Sequence, residues 1–228
     1  MSAVSKQRLD PLLPEDTDLS CVRFGDKQFN AEYKFSKFYT KYLRKDNLDD
    51  KMIIKFPNVK VIYINEPRSD ASENNKFDYS VLYKVPLEEK HSIEFCEAFN
   101  DFIFKTVKEN TVKYLNMENL SEEDVLTAYK PMFMKNDDGS YAFNVKYKFG
   151  HPNNDKNVSI KYQDVNTPLE VQESINFVEK IGRGSTAEIF IQIMSIYVND
   201  SSDFKPQNMG FKQINIKEYS NSGVSNSF

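Results

Sequence analysis

The chain of 228 residues has no tryptophan, two histidines, two cysteines and seven glycines. Each scarcity excludes a class of chemistry. His91 and His151 are the only imidazoles, and neither sits beside a serine or cysteine elbow, so the sequence offers no nucleophile and base pair. Cys21 and Cys96 form no CxxC and no metal-ligand spacing, and they read as free thiols of a reducing compartment. Asp137-Asp138 precedes Gly139 without the wider set of oxygen ligands that a calcium loop supplies. The acidic pairs Asp49-Asp50 and Glu122-Glu123 read as solvated charge or helix-start acids. No metal, no cofactor and no enzymatic activity are therefore expected. Long apolar runs are also missing. Residues 1–14 hold no stretch of signal-peptide length and nothing approaches a membrane span, so a cytoplasmic location without a membrane partner is expected.

What is abundant is aromatic and charged: 18 Phe, 13 Tyr and 28% charged residues. The formal net charge of −4 hides an uneven distribution. From Arg23 to Lys60 there are ten basic and five acidic residues, and from Glu66 to Asp124 fourteen acidic and seven basic. A binding face depends on the local potential rather than the total. Two ordinary solvated faces would give the same counts.

Periodicity divides the chain. Residues 1–20, with Pro11 and Pro14, read as a flexible lead and residues 220–228 as a flexible, small and polar tail around one domain over 21–219. Val22–Phe24 suggests a strand. Tyr33 and Phe35 have strand spacing, whereas Phe35, Phe38, Tyr39 and Tyr42 fit a helical face, and both readings stay open. Met52–Phe56 and Val59–Ile64 read as strand interrupted by Pro57, which predicts a bend or an edge. Phe77, Tyr79, Val81, Tyr83 and Val85 alternate as a half-buried strand.

Leu87–Asn116 has helical spacing through Ile93, Cys96, Phe99, Ile103 and Val107, and a short helix after Ser121 ends before Pro131. Strands are expected at Tyr141–Phe149, after the Asn136–Gly139 turn, and at Val158–Tyr162, Ala187–Val198 and Phe211–Tyr219, with a loop over Asp200–Gly210. Strands, a helical insertion at about 87–131 and strands again predict a mainly β fold. The closest pattern is an oligonucleotide-binding (OB-fold-like) β-barrel with its helix between the third and fourth strands. A jelly roll or an immunoglobulin-like sandwich accommodates the long helix less well.

Glu179–Phe190 carries Gly182-Arg183-Gly184, which looks like the glycine-rich loop of protein kinases. Ala187 replaces the third glycine, and none of the lysine, catalytic-loop or metal-binding motifs follows. A tight turn entering a strand explains the two glycines.

Interleaved rings and cations are the feature that carries chemistry. Single strands are held by rings that stack on bases and cations that follow the phosphates. The nucleic-acid-binding candidates of the first such segment are Tyr33, Lys34, Lys37, Tyr39, Lys41, Arg44 and Lys45. Those of the second are Lys146, Tyr147, Lys148, Lys161 and Tyr162, and the glycine turn adds Arg183. Period two places Lys146 and Lys148 opposite Tyr147, so these residues do not all line one groove. The competing assignment puts the rings in the core and the lysines in water.

The stretches Ile181–Ile193, Tyr197-Val-Asn199 and Met209–Tyr219, with Tyr141–Phe149 and Val158–Tyr162 upstream, resemble the single-stranded DNA-binding proteins of short-tailed bacteriophages and related OB-fold proteins of large DNA viruses. The terminal Phe228 matches their terminal aromatic, whereas Ser220–Phe228 lacks their acidic, partner-docking tail. The resemblance implies a viral protein that coats and protects unwound single-stranded DNA during replication, recombination or repair, in the host cytoplasm or at a viral replication site; replication proteins and further copies of the chain are the other partners to be considered. The alternative from a different class is a viral structural or assembly protein with a β-sandwich and no nucleic-acid ligand.

Overall fold

The computed structural model describes residues 11–43, 49–65, 78–148, 158–162, 165–171 and 181–218. Its strands are β1 (Val22–Phe24), β2 (Gln28–Asn30), β3 (Phe35–Leu43), β4 (Asp49–Asp50), β5 (Met52–Asn65), β6 (Asp78–Val85), β7 (Met134–Lys135), β8 (Tyr141–Lys148), β9 (Val158–Tyr162), β10 (Val165–Val171), β11 (Thr186–Val198) and β12 (Phe204–Glu218). Helices α1 (Lys90–Lys108), α2 (Thr111–Leu115) and α3 (Glu122–Ala128) fall between β6 and β7.

Five strands form the body in the hydrogen-bonded order β12-β11-β5-β6-β8. A side-chain bond returns β8 to β12: Asn208 Nδ2 donates to the Asn144 carbonyl at 3.0 Å. The result is an OB-like barrel with a helical insertion. Counted on the barrel itself, the insertion follows the second strand, β6, and precedes the third, β8; the expected position after a third strand holds only if β3 is counted.

Alternation explains the barrel wall. Val81, Tyr83, Val85, Phe143, Val145 and Tyr147 point inward and are buried, and so are Ile189, Ile191 and Ile193. One end of this core is filled by α1, whose Phe95, Cys96, Phe99 and Ile103 lie on one helical face. Phe56, Phe95, Phe99, Phe133 and Phe143 form a chain of ring contacts at 5.1–5.9 Å. Such pairs contribute about 0.5–1.5 kcal/mol each beyond area burial.

The long helical segment divides after Lys108. A short α2 follows and ends at Asn116, which adopts a left-handed φ of 59°. Helix α3 starts with a capping box between Ser121 and Asp124, as the sequence predicts.

Four details differ from the sequence expectations. Residues 11–20 pack on the barrel rather than lead freely into it: Leu12 N–H donates to the Ile53 carbonyl at 2.8 Å, Lys55 N–H returns a bond to Leu12 at 2.9 Å, and Pro14 is buried. Strand β5 runs without a break through Pro57. The register slips there, from Val59 opposite Ala187 to Phe56 opposite Ile189, so the missing proline N–H falls in a bulge. The expected loop over Asp200–Gly210 is strand from Phe204 onward, because β12 pairs with β11 from Phe204 opposite Val198. Strand β10, which contains Pro168, has no counterpart among the expected strands; it pairs antiparallel with β9, and β9 lies parallel to β12.

The glycine-rich stretch is a tight turn. Gly182 and Gly184 have φ of 67° and 81°, a region that glycine adopts without a steric cost. Its amides are engaged within the protein: Gly184 N–H donates to Val61 and Ser185 N–H to Gly182. No phosphate cradle is formed by these two groups.

Candidate nucleic-acid interface

Strand β3 resolves the ambiguity of its sequence by period. Phe38, Thr40 and Tyr42 face inward, where Phe38 meets the Tyr114 ring of α2 at 4.7 Å. Phe35, Lys37, Tyr39 and Lys41 therefore face outward and alternate ring, cation, ring, cation. The exposure of Tyr39 is 39%.

Strand β11 reaches β3 through a change of phase. Inward residues are Ile189, Ile191 and Ile193, and then Ile196 and Val198. The change comes from a bulge: Ile193 opposes Asn208, but Ser195 opposes Gln207, so β11 carries one extra residue at Met194. Without it Tyr197 would continue the buried series. With it, Tyr197 faces outward between Lys37 of β3 and Lys205 of β12, which are its partners across the two ladders.

This row is an aromatic pair flanked by cations. The rings of Phe35 and Tyr197 lie 5.1 Å apart. Lys37 Nζ is 5.1 Å from the Phe35 centroid, and Lys205 Nζ is 5.7 Å from that of Tyr197. The next row carries Tyr39, Ser195 and Gln207.

Beside these rows is an open cleft of about 500 Å³, lined by Lys37, Tyr39, Lys146 and Lys205 together with Asn144 and Asn208. Its lining contains no carboxylate. None of Lys37, Lys146 and Lys205 pairs with an acid among the described residues. The opposite wall, Pro131 and Met132, belongs to the helical insertion and is tied down at its base. Tyr129 stacks on Phe204 at 5.0 Å, Lys130 N–H donates to the Phe204 carbonyl at 2.9 Å, and the Tyr129 hydroxyl donates to the Asn100 carbonyl at 3.2 Å.

The cleft thus unites three residues expected from sequence, Lys37, Tyr39 and Lys146. Lys41 extends their stripe along β3, where it opposes Arg23. Tyr33 is 67% exposed in the turn joining β2 to β3, and Lys34 completes that turn with a φ of 49°. A hydrogen bond with Glu32 raises the Tyr33 phenol above its ordinary range. Arg44 and Lys45 lie outside the described residues.

Tyr147 is a correction. It is 1% exposed and its hydroxyl shares a 2.9 Å hydrogen bond with that of Tyr83, so its ring has no face for a base. The inward phase of β8 that exposes Lys146 is what buries Tyr147. Lys148 ends β8 opposite Asp78. Lys161 and Tyr162 lie on β9 opposite Asn215 and Ile216, toward the end of β12 away from the cleft. The side chains of these three lie outside the described residues. Arg183 is also remote, in the turn before β11, with its guanidinium 4.5 Å from the Tyr63 ring centroid.

Sequence reasoning did not select Phe35, Tyr197 or Lys205 for the site. Phe35 was visible in the aromatic segment. Tyr197 was hidden by a bulge with no local signature, and Lys205 by a strand read as a loop.

Among the described residues no cluster of three or more His, Cys, Asp or Glu side chains is arranged to hold a metal ion. No described helix is long and apolar enough to cross a membrane.

No family model and no curated protein matches the sequence. Several solved structures are similar to the chain, among them two phage proteins. One is a single-stranded DNA-binding protein from bacteriophage Enc34 in complex with single-stranded DNA, with 12% identity and a TM-score of 0.48 over 86% of this chain and 96% of that one. The other is gp2.5, a single-stranded DNA-binding protein encoded by bacteriophage T7, with 13% identity and a TM-score of 0.49 over 78% of this chain and 92% of that one.

Proposed function

We propose that this protein binds single-stranded DNA without sequence specificity, and that it coats and protects unwound strands in replication, recombination or repair without catalysing a reaction on them. The observation that carries the reading is the outward row Lys37, Tyr197 and Lys205, with Phe35 against Tyr197, beside a cleft that adds Tyr39 and Lys146 and has no acid in its lining. Rings with accessible faces stack on any base, and lysines without carboxylate partners neutralise phosphates of any sequence. Each stacked base contributes about 1–3 kcal/mol.

Direct reading of a duplex needs an element that fits a groove. Here the rings lie across the wall of a barrel, Phe35 and Tyr197 beside the cleft and Tyr39 in its lining, an arrangement that suits unstacked bases. Replication proteins are the partners such a coat would meet.

Titration of fluorescent oligo-dT tests the reading. Three lysines, Lys37, Lys146 and Lys205, would give a slope of log affinity against log salt near −2, from about −0.7 per neutralised phosphate on a single strand. Between 50 and 200 mM salt the affinity is then expected to fall about 20-fold. Absence of binding at 50 mM salt would overturn the proposal.

A further inference from the structure

Strand β5 presents two large side chains in succession to solvent. Its register against β6 slips between Val61 and Tyr63, a bulge that turns both Ile62 and Tyr63 outward, each 44% exposed. The turn before β11 lays Arg183 over the Tyr63 ring at 4.5 Å. That turn is held to β5 by two backbone bonds, Gly184 N–H to the Val61 carbonyl at 2.7 Å and Val61 N–H to the Ser185 carbonyl at 2.9 Å. Lys60, exposed on the same strand, opposes Thr186 at the start of β11. A guanidinium, a ring and an ammonium are therefore mounted together on rigid backbone. They stand at the opposite end of β11 from Tyr197, about 40 Å along the strand at the usual rise of about 3.3 Å per residue.

We infer that Lys60, Tyr63 and Arg183 form a second nucleotide subsite, occupied by the same single strand that fills the cleft, so that a bound strand runs along the outer side of β11. The inference rests on the proposed single-strand binding and extends it to a path. Between the two ends β11 presents Gln192 and the half-buried Phe190. The only acid of β11, Glu188, is neutralised on the way: Lys55 Nζ lies 2.9 Å from its carboxylate, and Asn215 Nδ2 donates to its other oxygen. A phosphate chain following this strand meets no uncompensated negative side chain of β11. The pairing of Arg183 with Tyr63 gives the subsite a flat cationic surface for a base and its phosphate.

The test compares dT5, short enough for the cleft alone, with dT20, which spans both ends. Arg183→Glu and the double variant Tyr63→Ala/Arg183→Ala are each expected to bind dT20 about tenfold more weakly than the parent and dT5 with unchanged affinity. Arg183→Glu alters a surface charge without removing apolar packing, so it retains the test if the double variant fails to fold. Unchanged dT20 affinity in folded variants would overturn the subsite and leave the patch to a protein partner. An equal loss for dT5 and dT20 would also overturn it, because the patch would then act through the cleft. If the unmodified protein bound neither oligonucleotide, the cleft reading itself would fall and the subsite with it.

Discussion

Gly210 of β12 lies against the ring of Tyr147 so closely that a Cβ on it would fall 2.2 Å from the ring's Cε1. This contact joins the last barrel strand to the third, next to the Asn208 bond. The ring has little freedom to withdraw, being buried and hydrogen-bonded to Tyr83. Gly210→Ala is therefore expected to destabilise the protein by about 1–3 kcal/mol, the usual cost of overpacking a filled core. Urea denaturation followed by circular dichroism measures it; an unchanged midpoint would mean that β12 and β8 separate easily.

The buried tyrosines predict a loss of stability in alkali. Burial, followed by the neighbouring Tyr147, pushes the Tyr83 phenol well above its ordinary value near 10; burial does the same to Tyr147, and burial with the charge of Asp101 to Tyr129. A folded-state value above the unfolded one means that the native form holds its proton longer. Stability is fully present below pH 10 and falls as pH rises from there toward the folded values, by about 1.4 kcal/mol per pH unit for each such group. Tyrosinate absorbance during a pH titration should show these phenols ionising together with unfolding. Their ionisation near pH 10 in a folded protein would contradict the buried assignment.

Replacing Lys37 and Lys205 together by Ala should flatten the salt dependence of oligo-dT binding. Each lost phosphate contact lowers the magnitude of the slope by about 0.7. A weaker affinity with an unaltered slope would show that these lysines act on the fold and not on phosphates.

Tyr39→Ala is expected to lower oligo-dT affinity about 5- to 150-fold, the loss of one stacked base at about 1–3 kcal/mol. The side chain is outward on β3, so the melting temperature should change little. Tyr147→Phe supplies the contrast. It removes the partner of a buried hydroxyl, which costs about 1–3 kcal/mol of stability, and should leave the affinity of the folded protein unchanged.

The local periods are legible in the order of residues alone. The alternation of Tyr79–Val85 and Tyr141–Tyr147, the helical spacing of Ile93 to Val107, the Ser121 cap and the turn glycines at 182 and 184 each specify an element through short-range sterics and one-sided burial. The order of those elements was enough to expect an OB-like barrel with a helical insertion. Alternation of ring and cation within single strands also singled out Lys37, Tyr39 and Lys146, which line the candidate cleft.

Which ring faces solvent and which strands meet depend on long-range pairing. Tyr147 and Tyr197 look alike in sequence, each an aromatic in an alternating strand. One is locked inside by Tyr83 and Gly210; the other is turned outward by an extra residue at Met194 and placed between Lys37 and Lys205. A bulge is set by the pairing register with a distant strand, so a local pattern carries no trace of it.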